Sequence, residues 1–77
     1  MTQEEYNVMF EKQGGQCLGC GKYQHELNRA LDVDHDHKTG RIRGLLCMSC
    51  NRALGYAKDN VATLKRLIAY LGGIVGD

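Results

Sequence analysis

Apolar residues recur at helical spacing in the first part of the chain. Tyr6, Met9 and Phe10 are three and four positions apart, so they share one face of a short helix. The Thr-x-x-Glu spacing that begins at Thr2 is typical of a capping box at a helix N-terminus. Two consecutive glycines then end the pattern. The sequence therefore predicts a helix over residues 2–13 that packs against the core.

The middle of the chain has the two-residue alternation of β-strands. Residues 30–35 alternate between apolar and acidic side chains, and residues 41–46 form a second, largely apolar run. The segment between them contains Lys38-Thr39-Gly40, which has turn-forming chemistry. We therefore predict an antiparallel β-hairpin, in which alternation places Arg41 and Arg43 on one side.

Two helices are predicted after the hairpin. The first covers about residues 49–58, with Ser49 as its N-cap. Asp59-Asn60 then breaks the chain and caps a last helix that ends near Leu71. The apolar face of that helix consists of Val61, Leu64, Leu67, Ile68 and Leu71. We expect this face to pack on the core. The alternative is a small homodimer interface through the terminal helices, and we expect residues 74–77 to fray or to join such an interface.

Four cysteines fall in two Cys-x-x-Cys pairs, Cys17 with Cys20 and Cys47 with Cys50, and 26 residues separate the pairs. A chain of 77 residues obtains only roughly 3–5 kcal/mol from its core, so such domains usually need a metal or disulfides. The N-terminus is acidic and lacks a secretory signal, which favours reduced thiols and zinc. A redox motif requires a thioredoxin-like βαβ context, which the pattern lacks. We therefore predict a closed four-cysteine zinc site that is structural, and a chain that unfolds without zinc.

Size and charge narrow the classes of function. The 77 residues predict a single domain, 1–77. No apolar run reaches the ~18–20 residues that span a bilayer, so we expect a cytoplasmic protein without a membrane partner. Net charge is only +1, but it is unevenly distributed. Residues 1–36 contain three basic and seven acidic residues, whereas residues 37–77 contain seven basic and two acidic residues. Where metal ions neutralise some of the acids, the basic half is left to face a polyanion.

The segment Asp34-His35-Asp36-His37 and the later Asn51 are the candidates for chemistry. A carboxylate such as that of Asp34 suits a hard ion such as Mg²⁺, and the amide oxygen of Asn51 can complete the protein ligands. An imidazole with a near-neutral pKa can take a proton from water. Neighbouring residues of a regular strand point to opposite faces, so Asp34 and His35 can face one ion only where the strand bends. We therefore predict a bulge or a strand end at that position.

A longer pattern links these residues. It runs through Cys17-x-x-Cys20, Leu31-Asp-Val-Asp-His-Asp-His37, Thr39-Gly40-x-Ile-Arg-Gly-Leu-Leu-Cys47-x-x-Cys50-Asn51 and Leu54-Gly55. This pattern resembles the recombination endonuclease VII family, which are phage-type nucleases of the HNH, or ββα-metal, group. The resemblance implies a small α+β fold. In that fold a hairpin-plus-helix core is stapled by the four-cysteine zinc site and flanked by an N-terminal and a C-terminal helix.

The resemblance also implies a role for each candidate residue. Structural zinc is held by Cys17, Cys20, Cys47 and Cys50. The catalytic Mg²⁺ or Mn²⁺ is bound by Asp34 and Asn51. His35 is the general base, and His37 lies beside the scissile phosphate or the metal. The implied reaction is hydrolysis of DNA phosphodiesters to a 5′-phosphate and a 3′-hydroxyl, in the host cytoplasm if the protein is phage-encoded.

Two further points stay open at the level of sequence. Lys38, Arg41 and Arg43 are candidates for contacts with DNA phosphates, and a solvated strand face is the alternative. The competing functions are a non-catalytic zinc module that binds nucleic acid and a thiol redox protein. The binding module has no need for Asp34, His35 and Asn51 together. The redox protein requires reactive thiolates. The joint presence of Asp34, His35 and Asn51 with the four cysteines therefore favours the nuclease.

Overall fold

The computed structural model of the chain describes residues 1–73, so the tail predicted to fray or to join a dimer lies outside the described residues. The fold is a small α+β arrangement of three helices and one two-stranded antiparallel hairpin. Its elements are α1 (Gln3–Lys12), a 3-10 turn (Gln24–Glu26), β1 (Asp32–His35), β2 (Ile42–Leu46), α2 (Met48–Tyr56) and α3 (Val61–Tyr70). Within residues 1–73, no helix has the length and apolar character that crossing a membrane requires.

Helix α1 begins at the predicted capping box. The hydroxyl of Thr2 accepts from the backbone N–H of Glu5 at 3.1 Å, and the Glu5 carboxylate accepts from the backbone N–H of Thr2 at 3.1 Å. The apolar stripe of α1 then packs against the core, as the helical spacing predicts. Its first member, Tyr6, also donates its hydroxyl hydrogen to the carbonyl of Leu31 at 2.6 Å. This bond ties α1 to the residue that precedes β1.

The hairpin contains an irregularity at the predicted position. Asp34 pairs with Gly44, whereas His35 pairs with Ile42, so Arg43 is the extra residue of a β-bulge. His35 is also the last residue of β1. The prediction of a bulge or strand end at Asp34 and His35 is therefore confirmed, with the additional residue in β2.

The core is small and includes cysteines. Its buried residues are Cys17, Leu31, Leu45, Leu46 and Cys47. The side chain of Leu45 is fully inaccessible to solvent. Gly44 next to it permits a close approach, because a Cβ atom there would lie 2.7 Å from Leu18 Cδ1. The hydrophobic core and the two Cys-x-x-Cys pairs thus occupy the same region.

Helix α2 starts one residue earlier than predicted and uses a different cap. Its N-cap is Cys47, whose sulfur accepts from the backbone N–H of Cys50 at 3.4 Å, so the prediction of Ser49 as the cap is wrong. A thiol group takes the place of the usual hydroxyl because the second Cys-x-x-Cys pair and the first turn of α2 are the same residues. The helix packs against both strands of the hairpin.

Helix α3 begins as predicted but does not pack as predicted. The side chain of Asn60 accepts from the backbone N–H of Thr63 at 2.9 Å and caps the helix. In the part of the chain that the structure describes, α3 packs against no other helix or strand, and Leu71 on its apolar face is 83% exposed. The prediction of core packing is therefore wrong, because helical spacing identifies an apolar face but not what covers it. The homodimer contact remains a prediction.

The side chain of Gln13 acts as a short extension of the sheet. Its amide oxygen accepts from the N–H of Leu45 at 2.8 Å, and its amide nitrogen donates to the carbonyls of Leu45 at 3.0 Å and Gln16 at 2.8 Å. It therefore satisfies the backbone polar groups of the most buried residue in the core.

We expect Gln13→Ala to lower the free energy of unfolding by about 2 kcal/mol, because it removes the side-chain partner of the Leu45 N–H and of the Gln16 carbonyl. Urea denaturation of the metal-loaded chain measures this loss. Gln3→Ala is the matched control, since Gln3 bonds only the exposed side chain of Asn7 and its loss should change stability by less than about 0.5 kcal/mol. Equal stabilities of the two variants would contradict the structural role of Gln13.

Candidate metal centre and active site

The four cysteine sulfurs form a cluster suited to one metal ion. The Sγ atoms of Cys17, Cys20, Cys47 and Cys50 all lie within 4.8 Å of one another. The separation between Cys20 Sγ and Cys47 Sγ is 3.8 Å. Sulfurs about 2.3 Å from a tetrahedral zinc ion lie roughly 3.8 Å apart, so the observed separation matches that geometry. The four cysteines are therefore positioned to bind a metal, and the donor set is consistent with structural zinc.

The first Cys-x-x-Cys pair lies in a tight loop held by backbone bonds. Cys17 donates its N–H to the carbonyl of Lys22 at 2.9 Å, and Gly21 donates to the carbonyl of Cys17 at 3.0 Å. Gly19 is required at the centre of this loop, because a Cβ atom there would lie 2.8 Å from the sulfur of Cys50. The loop thus brings the first cysteine pair against the second without a side chain between them.

Backbone donors surround the most buried sulfur. Burial disfavours the charged form of Cys17, but hydrogen bonds from the N–H groups of Cys47, Cys20 and Gly19 outweigh it and lower the pKa of the thiol to about 6. Burial, followed by hydrogen bonding to its neighbouring thiols, raises the pKa of Cys50 to about 12. The surroundings of Cys17 therefore favour its thiolate and those of Cys50 favour its thiol, and a bound cation would compensate the charge of thiolates held this close together.

The carboxylate of Asp34 is buried and paired with Arg43. Asp34 is 6% exposed. Arg43 donates through Nε to Asp34 Oδ2 at 2.7 Å and through Nη2 to Asp34 Oδ1 at 3.0 Å. The same Nη2 reaches Asp59 Oδ2 at 3.2 Å. Hydrogen bonding to Asp34 raises the pKa of the guanidinium, so Arg43 stays charged and compensates the buried anion.

The other predicted site residues differ in their exposure to solvent. His35 and His37 are both exposed, and Asn51 in α2 is partly buried. Among the described residues, the cysteines are the one group of three or more His, Cys, Asp or Glu side chains with ligand atoms this close together. Asp34, His35 and His37 therefore do not form such a group.

An open cleft of about 460 Å³ lies beside the bulge. Its walls include His37, Lys38, Arg43 and Lys58. Asp36 also lies in the wall, and its carboxylate accepts hydrogen bonds from the N–H groups of Lys38 at 2.8 Å and Thr39 at 3.3 Å. These bonds lower the pKa of the Asp36 carboxyl group, and the bond from Lys38 contributes most. Asp36 therefore shapes the hairpin turn.

The predicted basic residues are in different situations. Lys38 lines the cleft and Arg41 is exposed, whereas the guanidinium of Arg43 is already bound by two carboxylates. No sequence pattern indicated a role for Lys58, and Asp59 was predicted only as part of a helix break. Both belong to the site region, and their sequence neighbourhood contains no motif that would have identified them.

Comparison with known proteins adds independent information. The sequence model of the family described as recombination endonuclease VII matches residues 1–73. The chain is 50% identical over 72 residues to the Gene 59 protein of Mycobacterium phage D29, and this match covers 92% of the chain and 43% of the relative. It is 49% identical over 72 residues to the Gene 59 protein of Mycobacterium phage L5, with the same coverage. The chain thus spans less than half the length of these relatives.

We expect one metal ion per chain and unfolding when a chelator removes it. Zinc binding to such sites contributes about 10–16 kcal/mol, more than a core of this size supplies. Far-UV circular dichroism during titration with a chelator, together with metal analysis, tests this. Cys47→Ser should lower the metal content, whereas Ser49→Ala, a control from the first turn of α2, should retain it. A metal-free chain that keeps its helical signal would contradict the prediction.

Proposed function

Because this chain belongs to the recombination endonuclease VII family, we propose that it is a divalent-metal-dependent DNA endonuclease of the HNH, or ββα-metal, type. The observation that carries the proposal is the bulged hairpin with Asp34 and His35 at its irregular position. The hairpin leads directly into α2, which contains Asn51 and packs against both strands. A closed four-cysteine cluster beside it fits a structural zinc ion, which has no open position for substrate.

Asp34 and Asn51 are the proposed ligands of a catalytic Mg²⁺ or Mn²⁺. The donor chemistry fits, since both ions prefer carboxylate and amide oxygens. Each oxygen of Asp34 accepts one hydrogen bond from Arg43, whereas a carboxylate has about four lone-pair sites in total. Asp34 therefore keeps lone pairs with which it can bind an ion beside Arg43. When bound, such an ion would stabilise negative charge on the phosphate and on the leaving oxygen.

His35 is the proposed general base. Its side chain is exposed at the end of β1, so it is accessible to water and to a DNA backbone. A neutral imidazole can remove a proton from the attacking water, an effect typically worth about 10²–10⁴-fold in rate. Attack on phosphorus opposite the 3′ oxygen gives a 5′-phosphate and a 3′-hydroxyl. His37, which lines the cleft, is the proposed contact to the scissile phosphate.

DNA is the proposed substrate, and the cleft beside His37 is its proposed binding surface. Lys38 and Arg41 on the hairpin can approach phosphates without reading base sequence. A non-catalytic zinc module that binds nucleic acid would retain the cysteines and these basic residues. It would have no use for an exposed imidazole beside a buried carboxylate.

Zinc-loaded protein should convert supercoiled plasmid to nicked forms only when Mg²⁺ or Mn²⁺ is added. His35→Ala should reduce the rate by roughly 10²–10⁴-fold, because the general base is lost. Gel analysis of time courses measures both effects. His25→Ala is the matched control, because His25 stacks on Tyr23 with ring centroids 5.4 Å apart and is not among the proposed site residues.

Two outcomes of this assay would count against the enzyme. Folded, zinc-loaded wild type that binds DNA but cuts neither duplex, branched nor single-stranded DNA would favour the binding module. Equal cutting by wild type and folded His35→Ala would show that the base is assigned wrongly or that a contaminating nuclease is present.

Asp34→Asn should weaken binding of Mn²⁺ to the zinc-loaded chain, because it replaces a charged ligand with a neutral one. Electron paramagnetic resonance of free Mn²⁺ during titration measures the affinity, and zinc analysis checks that the cysteine site is retained. Asp32→Asn is the control, since Asp32 forms a more exposed ion pair with Arg29 at 2.7 Å. Unchanged Mn²⁺ affinity in folded Asp34→Asn would remove Asp34 from the proposed ligand set.

A further inference from the structure

The turn after α2 has an unfavourable backbone conformation. Lys58 and Asp59 have φ angles of 56° and 55°, and within residues 1–73 they are the only residues other than glycine with positive φ. The N–H of Asp59 bonds to the carbonyl of Leu54 at 2.9 Å, and the N–H of Lys58 bonds to the carbonyl of Gly55 at 3.0 Å. This is a Schellman motif, in which the position of Lys58 is most often glycine. A lysine there retains strain that a glycine would relieve.

An ion pair fixes this turn against the hairpin. Asp59 accepts from Arg43 at 3.2 Å, and Arg43 in turn holds the buried Asp34. Arg43 is the extra residue of the bulge, so the turn is anchored to the hairpin at the same irregularity where Asp34 and His35 lie. The position of Lys58 is therefore defined relative to the proposed catalytic residues.

The cleft between the hairpin and this turn has two lysines on its wall, Lys38 and Lys58, with His37 also lining it. The other charged groups are already engaged, since Arg43 pairs with two carboxylates and Asp36 accepts N–H groups of the hairpin turn. Neither lysine forms an ion pair with a carboxylate of the described residues. Two ammonium groups beside an exposed imidazole suit a chain of phosphates.

From these observations we infer that Lys58 is a substrate-positioning residue that holds a backbone phosphate of DNA in the cleft beside His37. Arg43 contributes indirectly, because it keeps the Lys58–Asp59 turn against the bulge. This inference rests on the proposed function, since it takes the cleft to be the DNA-binding surface. It also changes the expected role of Arg43 from a phosphate contact to an anchor of the turn.

The test replaces Lys58 with glycine, which removes the ammonium group and suits the left-handed backbone. The fluorescence anisotropy of a labelled duplex of about 20 base pairs, long enough to cover several phosphates, is measured in a His35→Ala background, so that the DNA stays intact. We expect Lys58→Gly to melt at or above the temperature of its parent. It should bind DNA on the order of fivefold more weakly, and the slope of log affinity against log salt should be smaller by about 1.

Two further variants separate a specific contact from a general charge effect. Lys58→Arg should retain the affinity and salt slope of the parent. Lys12→Gln removes one positive charge from α1, away from the cleft, and should leave the salt slope unchanged. Equal reductions in Lys58→Gly and Lys12→Gln would overturn the inference in favour of net charge alone.

Failure of this inference is distinguishable from failure of the proposed function. If the parent binds the duplex and Lys58→Gly binds with the same affinity and salt slope, Lys58 is a solvated turn residue and only this inference is overturned. If the zinc-loaded parent neither binds the duplex nor, with His35 restored, nicks plasmid, the proposed function and the inference both fail.

Discussion

The fold depends on sulfur atoms that belong to the core and to the metal cluster at once. Cys17 and Cys47 are buried with Leu31, Leu45 and Leu46, and their sulfurs face Cys20 and Cys50. A chain of this length has few apolar side chains to bury, so a bound ion adds cohesion where the apolar residues end. Removing the ion would leave closely packed thiols in the centre of the core. We therefore expect the stability of this chain to depend on metal binding.

The cysteine cluster also sets the position of the residues proposed for chemistry. Cys47 caps α2 through its sulfur, and its carbonyl accepts the N–H of Asn51 at 2.9 Å. The start of the helix is thus fixed by a residue of the cluster, and Asn51 follows one turn later. The hairpin ends at Leu46, directly before the same cysteine, so β2 and α2 meet at Cys47. An ion bound by the cysteines would in this way also fix the position of Asn51.

A second constraint is the need to compensate the charge of Asp34. A carboxylate with 6% exposure requires a cation or several donors, and Arg43 provides two hydrogen bonds with a full positive charge. The bulge makes this possible because it adds Arg43 to β2 opposite the junction of Asp34 and His35. Arg43 then reaches Asp59, so the charge balance of one buried acid also holds the turn that precedes α3.

Local signals in the sequence predicted much of this arrangement, whereas features that depend on distant partners could not be predicted in the same way. Nearby residues or fixed spacing determine four of the predicted features, namely the capping box at Thr2, the hairpin, the Asn60 cap and the grouping of the cysteines. The start of α2 was missed because cysteine is an uncommon cap. The ion pair between Arg43 and Asp59 depends on a turn in which the backbone of Lys58 is left-handed. The sequence has no glycine at that position to indicate such a turn. The exposure of α3 likewise depends on where that turn directs the helix, since periodicity describes one element and a contact requires two.

The division between a cysteine-lined core and a polar hairpin bears on the proposed function. Because the cysteine cluster and the helix caps maintain the fold, the hairpin end need not contribute apolar side chains to stability. His35, His37 and Lys38 can therefore remain exposed, and the strain at Lys58 can be tolerated. Exposed imidazoles and ammonium groups are what a surface needs to meet a charged polymer directly. In a chain this short, a structural ion is a physical means of keeping those groups at the surface.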